Sequence, residues 1–172
     1  MENEEYASAE ILFDIARSEY QNEFSRTSII DTKVGITLPI IATYFFLVLQ
    51  FDSIKIIFLT EPDTKNIATM LWSIFRPLVY IAAIICAGIA LIYLFRAIIS
   101  KAYQTIDPGC FNDKIKMSHP KNIFSAVMVT YYVKVTAFNR STNDFRITMY
   151  RRGWSLALVS LFLFVCYVVF TH

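Results

Sequence analysis

Charged side chains are missing from three long stretches of this chain. Residues Val34–Phe51, Leu78–Phe95 and Trp154–Phe170 contain no Asp, Glu, Lys or Arg. Each stretch has about the length that a helix needs to cross the ~30 Å hydrocarbon core of a bilayer at ~1.5 Å per residue. The overall composition agrees, since 56% of the residues are hydrophobic and only 17% are charged. These absences exclude an ordinary soluble surface and predict an all-α membrane protein with three transmembrane helices.

Signatures of catalysis and metal binding are also absent from the sequence. It contains no phosphate-binding glycine loop, no nucleophile elbow and no pair of metal ligands. Cys86, Cys110 and Cys166 have no disulfide or metal spacing, so we expect three unpaired thiols. His119 lies beside a proline and His172 is the last residue, and neither is a good candidate for a catalytic base. We therefore expect no enzymatic activity, no metal and no cofactor.

Glycine and proline are scarce where polar segments adjoin the apolar stretches. Residues 8–33 and 121–152 contain neither, which predicts an amphipathic N-terminal arm helix and a long helix before the last span. Pro120 suits the first turn of that second helix. The predicted organisation is a single domain with an arm helix (8–33), a first span (34–51), an outer loop and a lead-in broken at Arg76 and Pro77 (52–77), a second span (78–99), a loop and long helix (100–153) and a third span (154–171).

The net charge of +2 conceals an uneven distribution. The first 33 residues hold eight acidic and three basic side chains, whereas Ser100–Gly153 holds nine Lys and Arg. The positive-inside rule places the basic segment in the cytoplasm, which predicts a cytoplasmic N-terminus and a periplasmic C-terminus in a bacterial inner membrane. The acidic start lacks the features of a signal peptide, so we expect the first span to direct insertion.

Two apolar patterns predict helix packing. Small residues in the second span permit close approach of another helix, either from the same chain or from another subunit. A heptad seam in the long helix is predicted to pack on the arm or on its copy in another subunit of a homo-oligomer. The candidate packing residues are Ala83, Ala87 and Gly88 in the span, and Met128, Tyr131, Val135, Phe138 and Phe145 in the seam.

A polar flank runs beside that seam, and it is formed by Tyr132, Asn139, Asn143 and Arg146. Asn amides can read a base edge, Arg can bind a phosphate through two nitrogens, and Tyr can stack on a base. With Arg26 and Lys33 from the arm, these residues are candidates for a small pocket that binds an anion. The alternative is a solvated or intersubunit polar strip. Asp31 lies where the arm helix approaches the headgroups and is expected to face protein.

Two short motifs resemble those of a known group of membrane proteins. The segment Arg26–Gly35, with its Asp-Thr-Lys at 31–33, resembles the junction that opens the first span in bacterial Pycsar-type and SLATT-type transmembrane effectors. The segment Phe138–Arg146 resembles the helix before the last span of those effectors. The order of arm, span, span, cytoplasmic helix and span is also similar to that of Pycsar-type effectors.

The resemblance implies a role in antiphage defence. In those families a cyclase or related synthase detects infection and makes a cyclic nucleotide, which gates an effector that depolarises or disrupts the inner membrane and causes abortive infection. It also implies a ligand-binding role for the matching positions. By this resemblance, the partners are the bilayer, a cyclic nucleotide made by a partner enzyme and further copies of the chain, without DNA or RNA. The matching positions are Arg26, Asp31, Lys33, Asn139, Asn143 and Arg146.

Two other kinds of function fit the sequence. A non-catalytic membrane scaffold would recruit a soluble partner through the Lys121–Arg152 helix. A small channel would normally carry ionisable groups inside its spans, and the cores of these spans contain no charged side chain. That composition favours a hydrophobic gate or bilayer perturbation over a permanent polar pathway.

Overall fold

Three long helices make up nearly all of the described structure, a computed structural model that describes residues 8–51, 67–100, 103–106, 109, 118 and 120–169. Helix α1 spans Ala9–Phe51, α2 spans Ile67–Ile99 and α3 spans Lys121–Val169. The described residues contain no β-strand, so the prediction of an all-α fold is confirmed. The predicted outer loop at 52–66, the Asp107-Pro108-Gly109 turn apart from Gly109, and Cys110 lie outside the described residues.

The predicted arm helix and first span form one continuous helix, and so do the predicted long helix and third span. Helix α1 has 43 residues and includes both the arm and the first apolar stretch, and α3 has 49 residues and includes both the long polar helix and the third stretch. Pro120 directly precedes α3, and the backbone N–H of Phe124 donates to its carbonyl at 3.0 Å, in the first turn of the helix. Each of the three helices contains a stretch that is long and apolar enough to cross a membrane. This is the architecture of a helical membrane protein.

The predicted break at Arg76 and Pro77 is wrong. Helix α2 already begins at Ile67 and continues through Pro77 to Ile99. Proline removes one backbone donor from a helix, but neighbouring groups in a membrane-spanning bundle can compensate for this loss. The segment before Pro77 therefore belongs to the same helix as the second span.

The chain divides into two compact units. The arm unit comprises Met1–Thr32 and Ser100–Arg146, and the span unit comprises Lys33–Ile99 and Ile147–His172. Each unit therefore receives part of α1 and part of α3, while the whole of α2 belongs to the span unit.

Small residues and hydroxyl groups hold the span unit together. Ala83 and Ala87 are fully buried, and the hydroxyl of Ser160 donates to the carbonyl of Ala83 at 2.7 Å. The hydroxyls of Tyr44 and Ser160 are 2.9 Å apart. Within lipid, such close contacts and interhelical hydrogen bonds replace the hydrophobic effect as the main source of helix association.

Two helices of the span unit approach each other closely at Gly153. A Cβ atom there would lie 3.0 Å from Cγ of Leu94 and 3.1 Å from the carbonyl oxygen of Ala90. At Gly88, the nearest atom to such a Cβ would be on Phe45 at 3.9 Å, an ordinary contact distance. Within the chain, Gly153 rather than Gly88 is the residue whose lack of a side chain permits close packing.

Candidate functional site, a buried polar network

Polar side chains occupy the interface between the arm and the first half of α3. On the arm, Ala9, Ala16, Glu23 and Ile30 are buried and recur every seven residues. A seven-residue repeat keeps one face of a helix directed at a neighbouring helix. The facing residues on α3 are mainly polar, and the buried ones are Ser125, Met128, Thr136, Asn139, Asn143 and Arg146. Of the polar flank predicted from the sequence, Tyr132, Asn143 and Arg146 thus contact the arm.

Glu23 lies at the centre of this interface. It is only 6% exposed, and its carboxylate accepts hydrogen bonds from Arg140 Nε at 3.2 Å and Asn143 Nδ2 at 3.0 Å. Arg26, one helical turn along the arm, contacts the same carboxylate at 3.4 Å. A buried carboxylate is costly unless such partners surround it. Glu23 therefore links the arm to α3 through hydrogen bonds and ion pairs.

Asn143 uses both ends of its side-chain amide. Its Nδ2 also donates to the backbone carbonyl of Glu23 at 3.1 Å, and its Oδ1 accepts from the hydroxyl of Thr27 at 3.1 Å. The residue is fully buried. An apolar residue at position 143 would leave these partners without their hydrogen bonds, so the packing of α3 on the arm requires an amide there.

Arg146 is the largest fully buried side chain among the described residues, and it donates to the carboxylate of Asp31. Asp31 is half-buried and thus faces protein, as the sequence predicts. Burying a guanidinium group costs roughly several kcal/mol, and only a well-placed partner can offset this cost. The pair joins α1 to α3 where each of these two helices leaves the arm unit.

Asn139 binds the segment that follows α2. Its Oδ1 accepts from the backbone N–H of Gln104 at 2.9 Å, and its Nδ2 donates to the carbonyl of the same residue at 3.0 Å. The amide thus makes the pair of hydrogen bonds that a neighbouring strand would make. Nearby, burial together with Tyr20 and Glu23 raises the pKa of Tyr103 to about 12. The phenol of Tyr103 therefore stays neutral at physiological pH.

Exposed ion pairs surround the buried network. Arg26 pairs with Asp144 at 2.5 Å, Arg140 with Glu19 at 2.7 Å, and Lys121 with Glu10 at 2.8 Å. Hydrogen bonds to Glu23 and Glu19 raise the pKa of Arg140, and the bond to Glu10 raises that of Lys121. Exposed pairs contribute little stability individually, so they mainly fix the register of the arm on α3.

The structure brings together most of the residues predicted to bind an anion. Arg26, Asn143 and Arg146 contact arm residues, while Tyr132 contacts the rings of Phe13 and Tyr20 edge-on, with centroids 5.6 and 5.5 Å apart. Lys33 is exposed and belongs to the span unit. The three arginines of the network face four carboxylates, from Glu19, Glu23, Asp31 and Asp144. Carboxylates of the chain itself thus bind all three of these arginines.

The heptad seam is only partly buried within the chain. Met128 is buried and Val135 is half-buried, but Tyr131, Phe138 and Phe145 are 39–45% exposed. The arm therefore packs on the polar flank and not on the whole seam. The sequence predicts that the seam packs either on the arm or on its copy in another subunit, and the second of these contacts stays a prediction.

A groove in the arm unit lies apart from the predicted site residues. It has a volume of about 290 Å³, and none of the seven predicted ligand-binding residues lines it. The hydroxyl oxygen of Thr136, one of its lining residues, is buried and has no hydrogen-bond partner among the described residues. This apolar groove is lined by Leu12, Ile15, Ala16, Val129, Val133, Thr136 and Ala137, together with Glu19 and Arg140.

Sequence reasoning missed several members of the network. Glu23, Thr27, Arg140 and Asp144 are not among the candidate residues that the sequence singles out. The partners of these residues lie more than 110 residues away in the chain, as the 120-residue separation of Glu23 and Asn143 illustrates. The seven-residue spacing of Ala9, Ala16, Glu23 and Ile30 is the signal that could have placed Glu23 on the contact face.

The fold and this network define a helical membrane protein whose non-spanning unit is held together by buried polar contacts. Comparison with protein-family models, curated proteins and solved structures finds no match.

Proposed function

We propose that this protein is a signal-gated effector that disrupts or perforates a bacterial inner membrane, and that a cyclic nucleotide is its signal. The observation that carries the proposal is the buried network around Glu23, Asn143 and Arg146. It joins the polar parts of two helices, α1 and α3, that both continue into apolar segments. Helices of this kind are suited to passing a change in a polar unit to a membrane-spanning one.

Competition for arginine is the proposed gating step. A phosphate group has the same preference for guanidinium as the carboxylates that now bind it. Arg26 is about one-third exposed, so a ligand can reach it without prior opening. A nucleotide that binds better when Arg26 is released from Asp144 and Glu23 shifts the population toward the released state. Complete switching requires a difference of about 5.5 kcal/mol in binding to the two states.

The setting proposed for this step is antiphage defence by abortive infection. The arm unit faces the cytoplasm, where a partner cyclase or synthase releases the nucleotide, and the chain acts as a homo-oligomer without any catalysis of its own. The basic segment 100–153 and the resemblance of the Asp-Thr-Lys junction support this assignment.

A scaffold that recruits a soluble partner is the second candidate function. The observation that favours it is the exposure of Tyr131, Phe138 and Phe145 on a part of α3 that lies outside the predicted spans. Exposed aromatic clusters of this kind are typical of protein-binding surfaces. Such a scaffold would leave membrane potential unchanged.

Membrane potential in living bacteria tests the proposal. The parent protein is expressed alone or with a cyclase that makes cAMP, cGMP, cCMP or cUMP, and a potential-sensitive dye reports depolarisation. We expect the parent to depolarise the cells with one of the four nucleotides only. Asn143→Ala removes hydrogen bonds worth about 3 kcal/mol in total, so we expect this variant to depolarise cells without any nucleotide.

Ser141→Ala is the matched control, because Ser141 is an exposed residue of the same helix. It should behave as the parent does. If the parent leaves the potential unchanged with all four nucleotides and Asn143→Ala is also silent at equal membrane abundance, the proposal is wrong and the scaffold is favoured.

A further inference from the structure

Exposed cationic side chains gather at one end of the span unit. All three helices contribute to this group, which we call the basic band. Its members are Lys33, the first residue of the unit in α1, Arg96 near the end of α2, and Arg151 and Arg152 near the start of the unit in α3.

Arg96 and Arg152 lie at nearly the same height in the unit. Gly153 directly follows Arg152, and a Cβ atom on it would lie 3.0 Å from Cγ of Leu94. Arg96 is two residues from Leu94, a rise of about 3 Å. The cations of α2 and α3 therefore share one level of this helix pair.

Lys33 lies about one helical turn further from the spans. The hydroxyls of Thr37 and Tyr150 are 3.4 Å apart, so Thr37 is alongside the residue that precedes Arg151. Lys33 is four residues from Thr37, a rise of about 6 Å. The basic band is therefore about two helical turns thick.

Exposed apolar side chains begin one helical turn from the band. On each helix, a large apolar residue lies three or four residues from a cation, toward the middle of the span and therefore on the same face. These residues are Ile36 beside Lys33, Ile92 beside Arg96 and Trp154 beside Arg151, and all three are exposed. A bilayer matches this order, because acyl chains cover the apolar face and headgroups lie at the level of the charges.

The span unit has few carboxylates of its own. The only ones in its sequence are Asp52, Glu61 and Asp63, and all of them come after Phe51, the last residue of α1. Phe51 is about 27 Å along the helix from Lys33. The basic band thus has no acidic counterpart on the helices that carry it within this unit.

The cations of the two units differ in their partners. Exposed cations of the arm unit pair with carboxylates, as Lys121 does with Glu10. Among the described residues, no carboxylate forms an ion pair with Lys33, Arg151 or Arg152. These three side chains therefore have their charge available for an anion from outside the chain.

We propose that the basic band binds the headgroups of anionic phospholipids such as phosphatidylglycerol. Phosphate oxygens accept strong hydrogen bonds from guanidinium and ammonium groups, and an anionic lipid surface attracts Lys and Arg that lie close to it. A zwitterionic headgroup carries its own cation, which competes for its phosphate. A soluble phosphate lacks the acyl chains that cover the exposed apolar residues beside the band. This binding needs no nucleotide and no membrane disruption, so it holds or fails independently of the proposed function.

Tryptophan quenching by brominated lipid tests the proposal. The chain has two tryptophans, so Trp72→Phe leaves only Trp154, one turn from Arg151. This protein is reconstituted in equimolar phosphatidylglycerol and phosphatidylcholine, with only one of the two lipids brominated near the top of its acyl chains. Bromine quenches tryptophan fluorescence on contact. We expect stronger quenching by the brominated anionic lipid, corresponding to at least about a threefold enrichment beside Trp154.

Substitutions in the same Trp72→Phe protein separate charge from folding. Arg151→Gln with Arg152→Gln should bring the enrichment close to one, whereas Arg151→Lys with Arg152→Lys should retain most of it. Lys134→Gln is the matched control, because Lys134 is an exposed cation of α3 that belongs to the arm unit. It should leave the enrichment unchanged. High salt should reduce the enrichment of the protein without these substitutions, since it screens exposed charges.

Three outcomes would overturn the proposal. The first is equal quenching by the two brominated lipids, and the second is an enrichment that survives both glutamine substitutions. The third is loss of the enrichment when inorganic phosphate or cAMP is added at constant ionic strength, since the band would then bind soluble phosphate in preference to lipid.

Discussion

Arg146→Ala is expected to destabilise the arm unit by roughly 3–5 kcal/mol, the usual cost of removing one partner from a buried ion pair. The Arg146 side chain is only 2% exposed, and it donates to Asp31 from a fully buried position. Truncation leaves a cavity in the helix interface and takes away the cationic partner of a half-buried carboxylate. The free energy of unfolding, measured by circular dichroism during denaturant titration in detergent, checks this expectation.

Arg146→Met separates packing from charge in the same measurement. Methionine fills much of the volume of the arginine stem but makes no ion pair, so we expect a loss intermediate between those of the parent and of Arg146→Ala. An Arg146→Ala protein within about 1 kcal/mol of the parent would show that the pair is not essential to the arm unit.

Gly153→Val is expected to have a comparable effect in the span unit. The new Cβ would lie 3.0 Å from Cγ of Leu94, a side chain that can shift slightly, and 3.1 Å from the carbonyl oxygen of Ala90, which belongs to helix backbone and cannot. Overpacking of a dense interior typically costs about 1–3 kcal/mol. Because two helices must separate to accommodate the valine, we expect a loss near the upper end of that range, detectable by the same denaturant titration.

Gly88→Ala is the matched control for this substitution. The added methyl carbon would lie 3.9 Å from the ring of Phe45, a normal contact, and alanine favours a helix over glycine by about 1 kcal/mol. We therefore expect Gly88→Ala to retain or increase the stability of the parent. A Gly153→Val protein as stable as Gly88→Ala would contradict the close approach at Gly153.

The three-span, all-α fold was predictable because it depends on local composition. Stretches without charge, such as Val34–Phe51, indicate a membrane helix regardless of what they contact. The absence of glycine and proline in 121–152 likewise predicted a long helix. The prediction at Pro77 failed because a proline rule based on the isolated helix ignores compensation by neighbours.

The contacts of the candidate site were less predictable, because they depend on which faces of two distant helices meet. The spacing of Tyr132, Asn139, Asn143 and Arg146 showed that they share one face of a helix. It did not show that this face is buried, since apolar residues of the heptad seam such as Phe138 were the stronger candidates for burial. The deciding factor is the arm, where Glu23 and Asp31 supply carboxylates that match the polar face of α3.

The network also has a consequence for ligand chemistry. Because the carboxylates of Glu19, Glu23, Asp31 and Asp144 already bind the three arginines, an anionic ligand at these arginines would have to displace intrachain partners as it binds. Binding and conformational change are then coupled, which is the requirement for a ligand-gated switch.

The proposed function requires a chain that crosses the membrane three times with its arm unit in the cytoplasm, and cysteine accessibility tests this topology most directly. Single cysteines at Ser28, Thr60 and Ser141, in a background with Cys86→Ala, Cys110→Ser and Cys166→Ala, are treated with a membrane-impermeant maleimide in intact spheroplasts and after permeabilisation. We predict labelling of Thr60→Cys in intact spheroplasts, and of Ser28→Cys and Ser141→Cys only after permeabilisation. Labelling of Ser28→Cys or Ser141→Cys in intact spheroplasts would contradict the account.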